Sequence, residues 1–86
     1  MYRFSIVNRF SIYFVYNKIM RNFGEILKEL RIERGLTQKA LAQELSITVP
    51  TLSHWECGYQ EPSFENLIML CKYFEVSADY LLGLSD

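Results

Sequence analysis

The chain has 86 residues, half of them apolar, and a formal net charge of −1 at pH 7. A chain of this length forms one small domain, with just enough apolar surface for a core that is stable without disulfides or bound metals. Two cysteines without a C-x-x-C pair, together with a single histidine, exclude a disulfide framework and a zinc site. No apolar run reaches the roughly 18 residues of a membrane span, so we expect a cytoplasmic protein with reduced thiols, no metal and no cofactor.

The charge is divided unevenly along the chain. Residues 1–20 carry three basic and no acidic side chains, whereas residues 21–86 carry six basic and ten acidic ones, which gives formal charges of +3 and −4. A net-acidic domain argues mildly against a nucleic-acid partner. Binding still depends on where the basic groups cluster, which the net charge does not show.

Residues 1–20 form an N-terminal extension with a pattern of its own. The tetrapeptide RFSI occurs twice, at residues 3–6 and 9–12, and the even positions from 4 to 16 are apolar apart from Asn8. This alternation predicts β-structure, although two strands alone are only marginally stable. Three interpretations stay open: an arm that pairs with another chain, a loosely ordered tail, or sequence upstream of a natural start at Met20, which we favour.

Residues 21–86 have the pattern of five helices. An apolar stripe at Phe23, Ile26, Leu27 and Leu30 predicts the first helix, and Gly35 suits its C-terminal cap. Residues that cap helix N-termini mark the starts of the other four helices, and they are Thr37, Thr48, Ser63 and Ser77.

The four later helices each have apolar positions that can face a core. The second helix is predicted from Gln38 to Leu45, and the third has Pro50 in its first turn and ends at Gly58. The fourth helix has a longer apolar stripe, which comprises Phe64, Leu67, Ile68, Cys71 and Phe74. The fifth is short, is closed by a glycine, and carries Tyr80, Leu81 and Leu82. A turn of only four residues, LSIT, separates the second and third helices, as in a helix-turn-helix unit.

Three motifs follow one another in residues 22–84: LKELRIERGLTQKALAQEL, TLSHWECGYQEPS and FEVSADYLLGL. This stretch, about three quarters of the chain, resembles the Xre family of bacterial regulators, the helix-turn-helix class of phage repressors and Cro. The resemblance implies an all-α, compact five-helix, lambda-repressor-like domain at residues 21–86. It also implies binding to double-stranded operator DNA, usually as a homodimer, with residues 48–57 as the recognition helix. No membrane or small-molecule partner is implied.

The recognition helix has two different sides when its residues are placed about 100° apart. Leu52 and Trp55 fall together, flanked by Thr51 and Glu56, and are expected to face the core. The opposite side, with Val49 at its edge, would face the major groove, and the candidates for base contacts are Val49, Pro50, Ser53 and His54. The first two suit a thymine methyl group and the last two can form hydrogen bonds.

Because no arginine is present for a bidentate contact to guanine, DNA shape is expected to contribute to recognition. His54 is equally compatible with a solvated surface position.

Contacts to phosphate are expected around this helix, and the candidates are Gln38, Lys39, Thr48, Thr51, Tyr59 and Gln60. The family uses a glutamine at the position of Gln38 to bind a backbone phosphate, helped by the helix N-terminus. Two departures from the family weaken the match. Glu61 stands in a loop where many relatives carry Lys or Arg, and Ser46 replaces a usual glycine that has positive φ, at a cost of about 1 kcal/mol.

Arg31 and Glu56 occupy positions that pair in relatives. We therefore expect a partly buried ion pair that joins the first helix to the third without touching DNA. The alternative is two independent surface charges.

The sequence thus predicts a DNA-binding transcriptional regulator, with repression favoured. The alternative is a protein-interaction module, such as an antitoxin or adaptor, which the acidic balance and the aromatic extension favour. No enzymatic activity is expected because the chain lacks a nucleophile–base motif and a glycine-rich phosphate loop.

Overall fold

The computed structural model describes residues 9–84, with side chains at positions 18, 19 and 22–84. Within this range there are five helices, in the order predicted from the sequence. They are α1 (Arg9–Glu33), α2 (Gln38–Leu45), α3 (Val49–Cys57), α4 (Phe64–Phe74) and α5 (Ala78–Leu81). The predicted all-α architecture is therefore confirmed.

The first helix is longer than the sequence pattern suggested. The predicted β-structure is wrong for residues 9–16, because α1 begins at Arg9 and runs without a break to Glu33. Residues 9–23 contain neither glycine nor proline, and extending an existing helix adds one hydrogen bond for each residue fixed. The expected boundary at Met20 falls inside this helix. Residues 1–8, including the first RFSI copy, lie outside the described part of the chain.

Each of the four later helices begins at the capping residue that the sequence predicted. The side-chain hydroxyl accepts a hydrogen bond from the backbone N–H three residues further on, which satisfies one of the free donors of the first turn. The donor–acceptor distances are 3.0 Å at Thr37, 3.2 Å at Thr48, 3.1 Å at Ser63 and 3.0 Å at Ser77.

The turn between α2 and α3 begins with a residue in the left-handed region. Ser46 has φ 58° and ψ 41°, and its N–H donates to the carbonyl oxygen of Gln43 at 3.2 Å. The N–H of Ile47 donates to the carbonyl oxygen of Ala42 at 3.0 Å. The positive φ expected at Ser46 is confirmed, and this conformation costs a residue with a side chain about 1 kcal/mol.

One hydrophobic core joins all five helices. Its buried members are Phe23, Leu27, Leu41, Ala42, Leu45, Leu52, Trp55, Leu70, Phe74 and Leu81. The longest helix, α1, packs against α3 and α5, while α2 packs against α3 and α4 packs against α5. The helix that carries the candidate base contacts is thus held from one side by both α1 and α2.

The predicted inward face of α4 is partly wrong. Phe64 is 85% exposed and Ile68 is 54% exposed, whereas Leu70, which was not in the predicted stripe, is fully buried. Apolar residues occur on more than one side of this helix, so the sequence alone does not say which side packs. The core takes the side that contains Leu70 and Phe74.

Candidate nucleic-acid interface

The third helix is anchored on one side and open on the other. Leu52 and Trp55 have exposures of 0% and 1%. On the opposite side Pro50 and His54 are exposed. Because the opposite side of this short helix is buried, Pro50 and His54 are held in a defined position relative to the core.

Three of the four candidates for base contacts lie on this open side, and Val49 lies at its edge. Val49 is 38% exposed, Pro50 and His54 are exposed, and Ser53 is half-buried. The four residues occupy two successive turns near the N-terminus of α3, a spacing that places them side by side. The surface they form combines two compact apolar groups with a hydroxyl and an imidazole.

Tyr59 lies next to His54 after the end of α3. The two ring centroids are 6.1 Å apart, with an angle of 52° between the ring planes. The backbone N–H of Tyr59 donates to the carbonyl oxygen of His54 at 2.9 Å, and the Tyr59 side chain is 82% exposed. A residue expected only as a phosphate contact therefore also borders the candidate base contacts.

The two threonines at the start of α3 form a pair. The hydroxyl oxygens of Thr48 and Thr51 are 2.8 Å apart, and the backbone N–H of Thr51 donates to the Thr48 hydroxyl oxygen at 3.2 Å. Only one of the two hydroxyl hydrogens can serve the bond between them. Whichever hydroxyl donates, the other keeps its hydrogen for a further acceptor.

Beneath this surface, Arg31 and Glu56 form the ion pair that joins α1 to α3. The Nε atom of Arg31 lies 2.7 Å from Oε2 of Glu56, and Nη2 lies 3.1 Å from Oε1. Their side chains are only 11% and 3% exposed, so the pair is more buried than the sequence suggested. Nη1 of Arg31 also donates to the carbonyl oxygen of Leu36 at 2.9 Å, which ties the pair to the turn before α2.

The amide of Gln38 makes a contact that sequence reasoning missed. Its Nε2 donates to Oε1 of Glu56 at 3.0 Å. No pattern in the sequence signals this contact, because it joins residues that are 18 positions apart and lie on different helices. An amide nitrogen carries two hydrogens, so this bond leaves one N–H of Gln38 for another acceptor.

The remaining candidates for phosphate contacts are neighbours in the chain of residues already described. Lys39 follows Gln38 in α2, and Gln60 follows Tyr59 after α3; both are exposed. Glu61, the acidic departure noted above, is also exposed. The candidate groups are therefore mainly neutral donors, and Lys39 adds one positive charge in the first turn of α2.

Residues 9–84 also bear on two other kinds of site, a metal site and a membrane-spanning helix. Among residues 9–84, no three His, Cys, Asp or Glu side chains come together in a way that could hold a metal ion. Nor does any helix there combine the length and the hydrophobicity needed to cross a membrane.

This arrangement is that of a helix-turn-helix domain, and comparison with known proteins places it in a family. Residues 27–81 match the family model described as Helix-turn-helix. The chain belongs to the helix-turn-helix family of transcriptional regulators, which confirms the Xre-type resemblance inferred from the motifs. Membership of this family agrees with the expectation that the chain is not an enzyme.

Among its relatives is the transcriptional regulator ImmR of Bacillus subtilis, which is 42% identical over 62 residues, covering 72% of this chain and 49% of ImmR. Repressor protein C2 of Salmonella phage P22 is 36% identical over 59 residues, covering 69% of this chain and 27% of the repressor. The chain thus spans about half, or less, of the length of these relatives.

A solved structure supports the fold. The restriction-modification controller protein C.AhdI from Aeromonas hydrophila superposes with a TM-score of 0.65 at 27% identity. The match covers 72% of this chain and 94% of C.AhdI. The lambda-repressor-like five-helix fold is therefore confirmed.

Proposed function

We propose that this chain binds double-stranded operator DNA and regulates transcription, most simply by repression, with the N-terminal part of α3 in the major groove. The observation that carries this proposal is the open side of α3 in a member of this family. Val49, Pro50, Ser53 and His54 stand there together, opposite Leu52 and Trp55 in the core.

In this proposal the four residues make two kinds of contact with the bases. Val49 and Pro50 contact thymine methyl groups, while Ser53 and His54 form hydrogen bonds with base edges. None of them can form the bidentate arginine contact that discriminates guanine most strongly. We therefore propose thymine-containing half-sites and a contribution from DNA shape.

Phosphate contacts would set the position of the domain on the duplex. The groups proposed for them are Gln38, Lys39, Thr48, Thr51, Tyr59 and Gln60. The hydroxyl hydrogen left over by the threonine pair and the second amide hydrogen of Gln38 support two of these roles. Contacts to phosphate carry no sequence information directly, so they would strengthen binding to every sequence alike.

We further propose that the protein binds as a homodimer to two half-sites. A monomer with four short side chains in the groove reads few base pairs, and a two-fold arrangement doubles that number. Helix-turn-helix dimers place their recognition helices about 34 Å apart, one turn of DNA. A nearly palindromic site with that spacing is the expected result.

The competing function is a protein-interaction module that does not need DNA. The net acidic charge of residues 21–86 and the exposed Phe64 and Ile68 on α4 favour it. The two functions differ in their response to salt. Binding to DNA releases counterions wherever a basic side chain meets a phosphate, so its affinity falls as salt rises, with a shallow slope here because Lys39 is the basic group among the proposed contacts.

The test is selection of bound sequences from random duplex DNA, followed by affinity measurements across a salt series. The full chain should enrich a two-fold sequence and lose affinity with rising salt. A shortened chain that begins at Met20 shows whether the N-terminal extension matters for binding. If no sequence is enriched and the affinity does not depend on salt, the DNA-binding proposal is wrong and the interaction module is favoured.

A further inference from the structure

The carboxylate of Glu56 has three hydrogen-bond donors around it. Oε2 accepts from Nε of Arg31 at 2.7 Å, and Oε1 accepts from Nη2 of Arg31 at 3.1 Å and from Nε2 of Gln38 at 3.0 Å. The Glu56 side chain is 3% exposed. Arg31 holds the carboxylate rigidly, because its planar fork contacts both oxygen atoms.

This carboxylate fixes which way the Gln38 amide points. A carbonyl oxygen turned toward Glu56 would meet another oxygen with a negative charge, whereas the NH2 group donates a charge-assisted hydrogen bond. The amide nitrogen must therefore face Glu56. Its second hydrogen projects away from the nitrogen at a fixed angle, in the plane of the amide.

Gln38 is also the first residue of α2. The backbone N–H groups of a first helical turn lack partners within the helix and favour a negatively charged ligand. The Thr37 hydroxyl already satisfies the N–H of Ala40 at 3.0 Å. The second amide hydrogen of Gln38 adds a side-chain donor at this end of the helix.

We propose that Glu56 is the positioning residue for a DNA-phosphate contact made by Gln38. The inference rests on the proposed DNA-binding function and deepens it. Glu56 holds one amide hydrogen and thereby aims the other at a phosphate oxygen. A side chain that is ordered before binding loses less conformational freedom when the complex forms. The buried ion pair thus acts on DNA affinity through Gln38, without touching DNA itself.

The proposal is tested by a double-mutant cycle. The first background is the native chain, and the second replaces the ion pair by two apolar residues, Arg31→Met with Glu56→Met. Exchanging both partners leaves no buried charge unpaired, and such exchanges are often neutral or stabilising. Gln38→Ala is then introduced into each background, and affinity is measured on the selected site and on an unrelated duplex of equal length.

In the native background, Gln38→Ala should weaken binding to both duplexes by about 10-fold, the value of one hydrogen bond to a charged group. In the Met background the same substitution should cost less than about 3-fold, because the amide is no longer aimed. Gln60→Ala is the matched control: this exposed amide lies outside the pair, so its cost should be the same in both backgrounds. Equal costs for Gln38→Ala in the two backgrounds would overturn the positioning role.

A nuclear magnetic resonance measurement on the native chain supplies a readout that does not depend on the Met variant folding. The two amide hydrogens of Gln38 should have separate resonances in the free protein. Addition of duplex DNA should move the resonance of the hydrogen that faces away from Glu56 and leave the other nearly unchanged. Equal movement of both, or of neither, would overturn the proposal. A native chain that binds no DNA at all would instead reject the proposed function.

Discussion

The backbone of Gly24 in α1 lies so close to the backbone carbonyl group of Glu56 in α3 that no side chain fits between them. A methyl group on Gly24 would contact the Glu56 carbonyl oxygen and would stand 2.7 Å from the carbonyl oxygen of Trp55. Because both obstacles are backbone atoms, they cannot move aside without moving α3. This contact sets the distance between the longest helix and the one that carries the candidate base contacts.

We therefore expect Gly24→Ala to destabilise the protein by about 1–3 kcal/mol, the usual cost of overpacking. At an ordinary helical position the same change stabilises by about 0.5–1 kcal/mol, so the sign is diagnostic. Chemical denaturation measures the free energy of unfolding. Gly35→Ala shows the cost of backbone strain alone, about 1 kcal/mol, since a methyl group there has no neighbour within 4 Å and only the φ of 68° opposes it. A stabilised Gly24→Ala variant would contradict the close contact.

Arg31→Ala should destabilise more strongly. It leaves the carboxylate of Glu56 buried without its cation, and removal of one partner of a buried pair costs about 3–5 kcal/mol. Thermal and urea unfolding should both show the loss. Arg34→Ala is the matched control, because Arg34 is exposed and stacks over Tyr73 and Phe74 at 5.3 and 5.2 Å, contacts worth roughly 0.5–1 kcal/mol each. Equal losses for the two variants would show that burial of the Arg31 pair adds no stability.

Ser46→Gly should stabilise the fold, because glycine adopts φ 58° without the cost of a side chain. The gain should be about 0.5–1 kcal/mol, reduced by the greater freedom of glycine in the unfolded chain. Gln43→Gly, at an exposed position inside α2, should instead destabilise by about 1 kcal/mol. Urea midpoints of the two variants should move in opposite directions, and a common direction would contradict the left-handed turn.

The two cysteines should differ in their reactivity. Cys57 is exposed and Cys71 is half-buried, and burial raises the pKa of the Cys71 thiol above its ordinary value. Alkylation of Cys71 in a Cys57→Ser variant should therefore require a higher pH in the folded chain than in denaturant, since the thiolate is the nucleophile. Rates measured across a pH series test this, and coincident profiles would contradict it.

The raised pKa of Cys71 also makes the stability of the fold depend on pH in the alkaline range. A thiol whose pKa is raised by folding binds its proton more tightly in the folded state. Its contribution to stability is fully present below the pKa of the unfolded chain, and it is lost as the pH rises through the folded value. In the Cys71→Ala variant, the free energy of unfolding should therefore fall less at alkaline pH than it does in the native chain. If the free energy of unfolding depends on pH in the same way in both chains, other groups cause its fall at alkaline pH.

His54→Ala should change DNA recognition with little effect on stability. An exposed helix position tolerates substitution within about ±0.5 kcal/mol, whereas a good base contact is worth about 1–3 kcal/mol. The loss should be largest on the selected site and small on unrelated DNA. Lys72→Ala on α4 is the control for general effects of surface charge. An equal loss on both kinds of DNA would assign His54 to phosphate and leave the bases to Val49, Pro50 and Ser53.

The sequence was most informative where structure depends on neighbours in the chain. The helix starts at Thr37, Thr48, Ser63 and Ser77 follow from a hydroxyl that reaches the N–H three residues later. The left-handed conformation of Ser46 came instead from resemblance to a family that usually has glycine there. In both cases the local backbone conformation follows from the type of residue at one position.

The sequence was less informative where structure depends on what packs against a residue. Phe64 and Ile68 are as apolar as Leu70, yet the core takes Leu70 and leaves the other two exposed. The bond between Gln38 and Glu56 joins residues that are 18 positions apart, and no periodicity reports it. The helix at residues 9–16 was missed because dense apolar residues satisfy more than one period.

Stability and proposed recognition are separated across the width of α3. Leu52 and Trp55 are tied to the core, whereas Pro50 and His54 face outward. Mutations on the outward side can accumulate without threatening the fold, so duplicated copies of such a gene can diverge toward new target sequences under selection. The same separation makes the outward positions the natural place to randomise when a binder for a chosen DNA sequence is wanted.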